Sequence, residues 1–129
     1  MLYMGLKKKA LKVVEQFQDQ NVLITSTANF FGQESKGLKQ VRGMSQVVLL
    51  PNELYSEMLF PRRILKIPIS AIREVDITKK WFLKKSRNKN LLIVHFINES
   101  GEEDSAGWQI PRLESYKRII DELRMGKKY

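Results

Sequence analysis

Residues 78–90 hold six basic side chains and no acidic one. Lys79, Lys80, Lys84, Lys85, Arg87 and Lys89 bracket an apolar centre of Trp81, Phe82 and Leu83. Such a segment can meet an acidic lipid surface. The aromatic groups enter the headgroup region, and each cation near the surface contributes about 1 kcal/mol. Base stacking and phosphate contacts on a nucleic acid use the same groups. The residues equally fit a strand continuing from Ile72, with alternate side chains packed inward and the lysines solvating a turn.

A second basic patch, Lys7, Lys8, Lys9 and Lys12, fits either the solvated face of a helix or an extension of the same positive field. Lys127 and Lys128 precede the final Tyr129, and Arg62, Arg63 and Lys66 form a further cluster. Parts for catalysis are few. His95 is the single histidine and there is no cysteine, which excludes disulfides, cysteine nucleophiles and the usual zinc ribbons. His95 reads as a half-buried, hydrogen-bonded strand residue sharing a face with Leu91, Ile93 and Ile97. Glu102, Glu103 and Asp104 follow Gly101 in a turn, where water is expected to solvate them and leave their pKa values ordinary. The serines lack a base in any recognisable motif, and Gly32, Gly37 and Gly43 lack the spacing of a phosphate loop. An enzyme is not expected, nor a metal or cofactor.

The composition agrees with a binding role. The 129 residues include 23 Lys plus Arg against 14 Asp plus Glu, a net charge of +9. The 78–90 segment carries six of those charges, so the rest of the chain is only +3. An excess of this size favours anionic partners. Hydrophobic residues at 43% and charged residues at 29% are ordinary for one globular domain with one core. No apolar run approaches the roughly 20 residues that span a bilayer. Met1 to Leu6 precede the lysines, the reverse of a signal-peptide order. A cytoplasmic protein is expected, with peripheral attachment at the inner membrane face as an option.

Apolar spacing at Leu6, Ala10, Val13, Val14 and Phe17 predicts an amphipathic helix over 5–20, which must pack on the domain or on a second copy to be stable. Residues 22–110 read as short strands between turn signals. Strands are expected at 22–31, 47–50, 54–60, 64–69, 72–78, 91–97 and 104–110, with a short extra one at 38–41. Pro51 and Asn52 centre one turn, Pro61 and Arg62 a second, and residues 98–102 a third. Pro111 is placed at the first turn of a helix through residue 125, with Leu113, Tyr116, Ile119, Ile120 and Leu123 as its apolar stripe and Gly126 as its stop. Trp108 and Tyr116 are expected in the core. The result is a mainly β chain: about seven antiparallel strands in a barrel, capped by a C-terminal helix. Residues 1–21 form an N-terminal helix, 22–126 the domain and 127–129 a basic tail.

Three stretches carry a resemblance. Leu49, Leu50, Pro51, Asn52, Glu53, Leu54 and Tyr55 resemble a strand–turn–strand pattern of the pleckstrin-homology-like superfamily, with Leu50 where a Thr usually stands. Residues 67–75 resemble its fourth strand and the turn after it, and residues 91–96 with Trp108 its closing hairpin. The GRAM-type branch, including bacterial relatives, is the most similar. The resemblance covers about two thirds of the chain and implies a PH-like barrel. It further implies a non-enzymatic module binding acidic phospholipid or an acidic protein. The family's basic cluster in the first inter-strand loop is matched in part by Lys36, Lys39 and Arg42, and the N-terminal helix is additional. A small basic nucleic-acid-binding protein and a protein–protein adaptor are the alternatives, and a homodimer through the N-terminal helix is a further expectation.

Overall fold

In the computed structural model, residues 2–81, 84–85 and 89–129 are described, with the backbone alone for 2–4 and 84–85. The core strands are β1 (Ile24–Gln33), β2 (Gly43–Leu49), β3 (Glu53–Leu59), β4 (Arg62–Pro68), β5 (Ile72–Thr78), β8 (Leu91–Ile97) and β9 (Glu103–Gln109). They form one seven-stranded antiparallel sheet in the order β4-β3-β2-β1-β9-β8-β5. A two-stranded hairpin, β6 (Lys80–Trp81) with β7 (Lys84–Lys85), is inserted between β5 and β8. Helices α1 (Leu2–Glu15) and α2 (Leu113–Arg124) bracket the sheet in sequence.

The mainly β reading holds, with one correction: β4 and β5 do not pair, so hydrogen bonds do not close the barrel. Instead α2 packs on β5 and β8 and turns Tyr116, Ile119 and Ile120 into the interior. The core gathers Phe30, Val47, Leu49, Leu54, Met58, Ile67, Leu92, Val94, Phe96 and Trp108 around that helix. Burying a polar tip requires a partner. Trp108 Nε1 donates to Ser56 Oγ at 3.0 Å, and Tyr116 OH donates to the Val47 carbonyl at 3.3 Å. Burial pushes the Tyr116 pKa up to about 12, so its hydroxyl stays a donor.

The near-continuous apolar runs in β2 and β8 follow from burial on both faces. Val47 and Leu49 face the interior, whereas Val48 and Leu50 face outward under α1. Val13 of α1 and Phe17 in the turn after it pack on Tyr55 and Leu59, with the Phe17 and Tyr55 rings 4.8 Å apart edge to face. The helix therefore docks on its own domain. It is shorter than the periodicity predicts, because after Glu15 the bonds tighten to Phe17 N–Val14 O and Gln18 N–Glu15 O.

Other boundaries shift for local reasons. No strand forms at 38–41. Arg42 donates through Nη1 to the Leu38 and Gln40 carbonyls, and Gln40 bonds Gln33 and Gly37, which folds the loop on itself. The β3–β4 turn is centred on Phe60 and Pro61, and Arg62 is already in β4, opposite Leu59. Pro111 lies before α2 and not in its first turn, since Arg112 takes a left-handed backbone (φ 55°) and caps the helix. The stop at Gly126 is as expected. Its φ of 93° lets Gly126 N–H reach the Leu123 carbonyl and Lys127 N–H the Glu122 carbonyl.

Candidate functional site

The antiparallel registers put three connections at one end of the sheet. Phe30 pairs with Gly43, Ser45 with Met58 and Leu59 with Arg62, so the β1–β2 loop and the β3–β4 turn leave the same end. Asp104 ties the β8–β9 turn to them. Its carboxylate accepts from Gln33 Nε2 (2.7 Å), Ser35 N (2.9 Å), Ser35 Oγ (2.7 Å) and Asn98 Nδ2 (3.3 Å). Burial alone would raise the Asp104 pKa, but these bonds outweigh it and hold the carboxyl below its usual range. This corrects the solvated reading of Asp104: the residue is 4% exposed and is the knot that fixes the loop. Gln33 and Ser35 lie about 70 residues upstream, beyond any local signal.

The surface so assembled is basic and apolar together. Phe60 at the β3–β4 turn is 68% exposed, Leu38 and Val41 in the β1–β2 loop 55% and 48%, and Ile64 in β4 is exposed as well. Lys9 of α1 donates to the Leu59 carbonyl at 3.3 Å and sits 5.1 Å above the Phe60 ring, which carries the helix lysines to this turn. Lys9, Lys12 and Arg62 rim a pocket of about 340 Å3. Lys36 and Arg63 line a smaller one of about 190 Å3, together with Gln33 and Gln40. The Arg42 guanidinium is held in place by the Phe31, Leu38 and Gln40 carbonyls, which are neutral and leave its charge uncompensated.

Beneath α1, Glu57 is buried and charged. It accepts from Tyr55 OH at 2.5 Å, Gln16 Nε2 at 3.4 Å and Arg62 Nε at 2.8 Å. Burial opposes its ionisation, but the Tyr55 and Arg62 bonds prevail and lower its pKa. Burial and the adjacent Glu57 push Tyr55 up to about 12. Glu57 thus offsets the charge of Arg62 but fixes its direction.

The 78–90 segment lies elsewhere. Its described part starts at the opposite end of the sheet, where Thr78 pairs with Leu91, and Trp81 packs on the outer face of β8. Lys79, Lys80 and Lys89 are exposed. Trp81 is only 7% exposed, packs on Leu91, Ile93 and Phe31, and donates Nε1–H to Ser105 Oγ at 2.9 Å. Trp81 is therefore a packed residue, carried by a short separate strand and not by a continuation of β5, while Phe82 and Leu83 lie outside the described residues. Gly107 makes room for it, since a Cβ there would stand 3.2 Å from the indole and 2.8 Å from Ile93 Cδ1. The side chains of Lys84 and Lys85, and all of Phe82 and Arg87, lie outside the described residues. Lys7 and Lys8 are exposed on α1, which contacts β2 and β3, whereas the hairpin covers β8. The two predicted patches therefore rest on different strands. His95 is half-exposed and bonds Asp76 Oδ2 through Nε2 at 2.8 Å, close to expectation. Sequence reasoning missed Phe60 as an exposed residue; its place between Leu59 and Pro61-Arg62-Arg63 was the available signal.

No protein-family model matches the sequence, and no curated protein matches it either. Solved structures do. The C-terminal domain of an unknown protein from Leishmania infantum aligns with a TM-score of 0.52 at 12% identity, covering 94% of this chain and 97% of that one. The DH/PH domains of p115-RhoGEF align with a TM-score of 0.53 at 10% identity, covering 98% of this chain and 38% of that one. The fold is pleckstrin-homology-like. At these identities the likeness concerns architecture alone. No helix among the described residues is long and apolar enough to cross a membrane.

Proposed function

We propose that this chain is a non-enzymatic PH-like binding module of the GRAM-type branch that docks peripherally on acidic phospholipid surfaces. The observation that carries the reading is the exposed Phe60 ring at the β3–β4 turn, with Lys9 Nζ 5.1 Å from its centroid and Arg62 and Arg63 following it in the chain, and with the exposed Leu38 and Val41 in the β1–β2 loop at the same end of the sheet. Exposed apolar groups of this size amid cations are what an interface between headgroups and acyl chains accommodates. The lysines and arginines supply attraction that salt screens, and the apolar groups supply attraction that it does not. The basic residues of the 79–89 hairpin add to the long-range field without supplying the wedge through Trp81. The buried carboxylates support a non-catalytic role, because Glu57 and Asp104 are both committed to internal hydrogen bonds and held ionised.

Flotation with neutral and phosphatidylserine-containing vesicles at low and moderate salt tests the reading. Wild-type protein is expected to float with acidic vesicles only and to persist at moderate salt. Phe60→Ala is expected to lose about tenfold in affinity, in line with removal of part of the roughly 1.5–3 kcal/mol that full burial of such a ring is worth. Absence of flotation, or binding unchanged in the variant, overturns it. Oligonucleotide binding with a steep salt slope would instead favour the nucleic-acid alternative.

A further inference from the structure

We propose that Glu74, Asp76 and His95 form a surface site for a divalent transition-metal ion, with zinc the best fit. Glu74 and Asp76 lie two apart on β5, and His95 faces them from β8. One donor atom from each, two carboxylate oxygens and an imidazole nitrogen, lies within 4.8 Å of the others. A register shift produces this convergence. Ile72 pairs with Phe96 and Glu74 with His95, so Arg73 is the extra residue of a bulge. An unbroken ladder would set Arg73, a cation, opposite His95. The bulge replaces it with Glu74 and brings Asp76 to the same outer face, while Val75 stays in the core.

The charge pattern is the independent argument. This chain has 23 Lys and Arg residues, yet among the described residues none forms an ion pair with Glu74 or Asp76. Nearby cations are engaged elsewhere: Arg73 Nη1 bonds the Ser70 carbonyl, Lys117 bonds Asp121, and Arg124 bonds the Arg73 carbonyl and Asp121. Two carboxylates are left facing one imidazole, and a dication would neutralise them. The mixed set of imidazole and carboxylate suits zinc better than magnesium or calcium, which prefer oxygen donors alone. Zinc bonds of about 2.0–2.2 Å in a tetrahedral arrangement need donors roughly 3.4 Å apart, so the 2.8 Å Asp76–His95 contact opens slightly and Glu74 moves inward. The side chains of His95 and Asp76 are 39% and 46% exposed, which leaves the fourth position to water. Sequence spacing hides the set, because His95 lies on a different strand from the two carboxylates.

Zinc titrated into chelator-treated protein, followed by calorimetry and by 1H–15N spectra, tests the site. One saturable event below about 1 mM zinc is expected, with the largest shifts at residues 73–77 and 93–96. His95→Ala and Glu74→Gln should each weaken binding at least tenfold, whereas excess magnesium should not compete. The shift map needs no variant, so a misfolded substitution does not decide the matter. No saturable binding, shifts centred elsewhere, or wild-type affinity in His95→Ala overturns the proposal.

Discussion

Trp81 and Phe60 both lie among basic residues next to a hairpin turn, yet Trp81 is 7% exposed and Phe60 is 68% exposed. The difference lies in what the sheet offers beneath each. Under Trp81 stands Gly107, which has no side chain, with Ser105 beside it to accept the indole proton. Phe60 is at the tip of a two-residue turn, where the strands end and Lys9 Nζ stands over its ring. Composition alone does not tell an aromatic that inserts into a partner from one that packs on its own fold.

The largest effect that sharpens this contrast is at Trp81. Trp81→Ala should lower unfolding free energy by about 3 kcal/mol, read from urea midpoints, because it empties a packed site. Vesicle affinity of the protein that remains folded should stay within about twofold. A folded Trp81→Ala protein that no longer floats would reverse the roles assigned to the two residues. Next comes Asp104, which holds the β1–β2 loop beside Phe60. Asp104→Asn should cost about 2 kcal/mol at pH 7 through weakened buried hydrogen bonds. The folded-state pKa is depressed, so this stabilisation is complete above the unfolded value of about 3.9 and is lost as pH falls through the folded value. The gap between variant and wild type should therefore narrow on acidification, as urea melts at pH 7 and near pH 3 would show. The smallest effect is at Arg63, which is exposed and lines a pocket with Lys36. Arg63→Ala should weaken acidic-vesicle binding about fivefold, or about 1 kcal/mol, with little change in stability. A larger loss from Lys79→Ala than from Arg63→Ala would return the docking surface to the hairpin.

Period and turn chemistry made much of the fold legible. Strands at 72–78 and 91–97, the Pro51–Asn52 turn, the Gly126 stop, and the burial of Trp108 and Tyr116 all follow from local pattern. The pairing of β1 with β9, and the failure of β4 to meet β5, depend on how a twisted sheet curls around α2, which no local window contains. The candidate surface was less legible. Asp104 looked solvated because Gln33 and Ser35 are remote in sequence, and Trp81 looked exposed because Gly107 and Ser105 arrive from another strand. Lys9 and Lys12 were visible as a cluster, but their meeting with Phe60 depends on α1 lying along β2 and β3.

The placement of α1 on the outer face of β2 and β3 has a consequence for how the molecule opens. These two strands are covered on both sides and flanked by neighbours, so their amide protons should exchange with solvent only through global unfolding. Strands β4 and β5 each bear one unpaired edge, and their outward amides should exchange through smaller, local fluctuations. Helix α1 thus does for β2 and β3 what α2 does for the interior, and deleting it should turn the slowest-exchanging segment of the chain into an ordinary one.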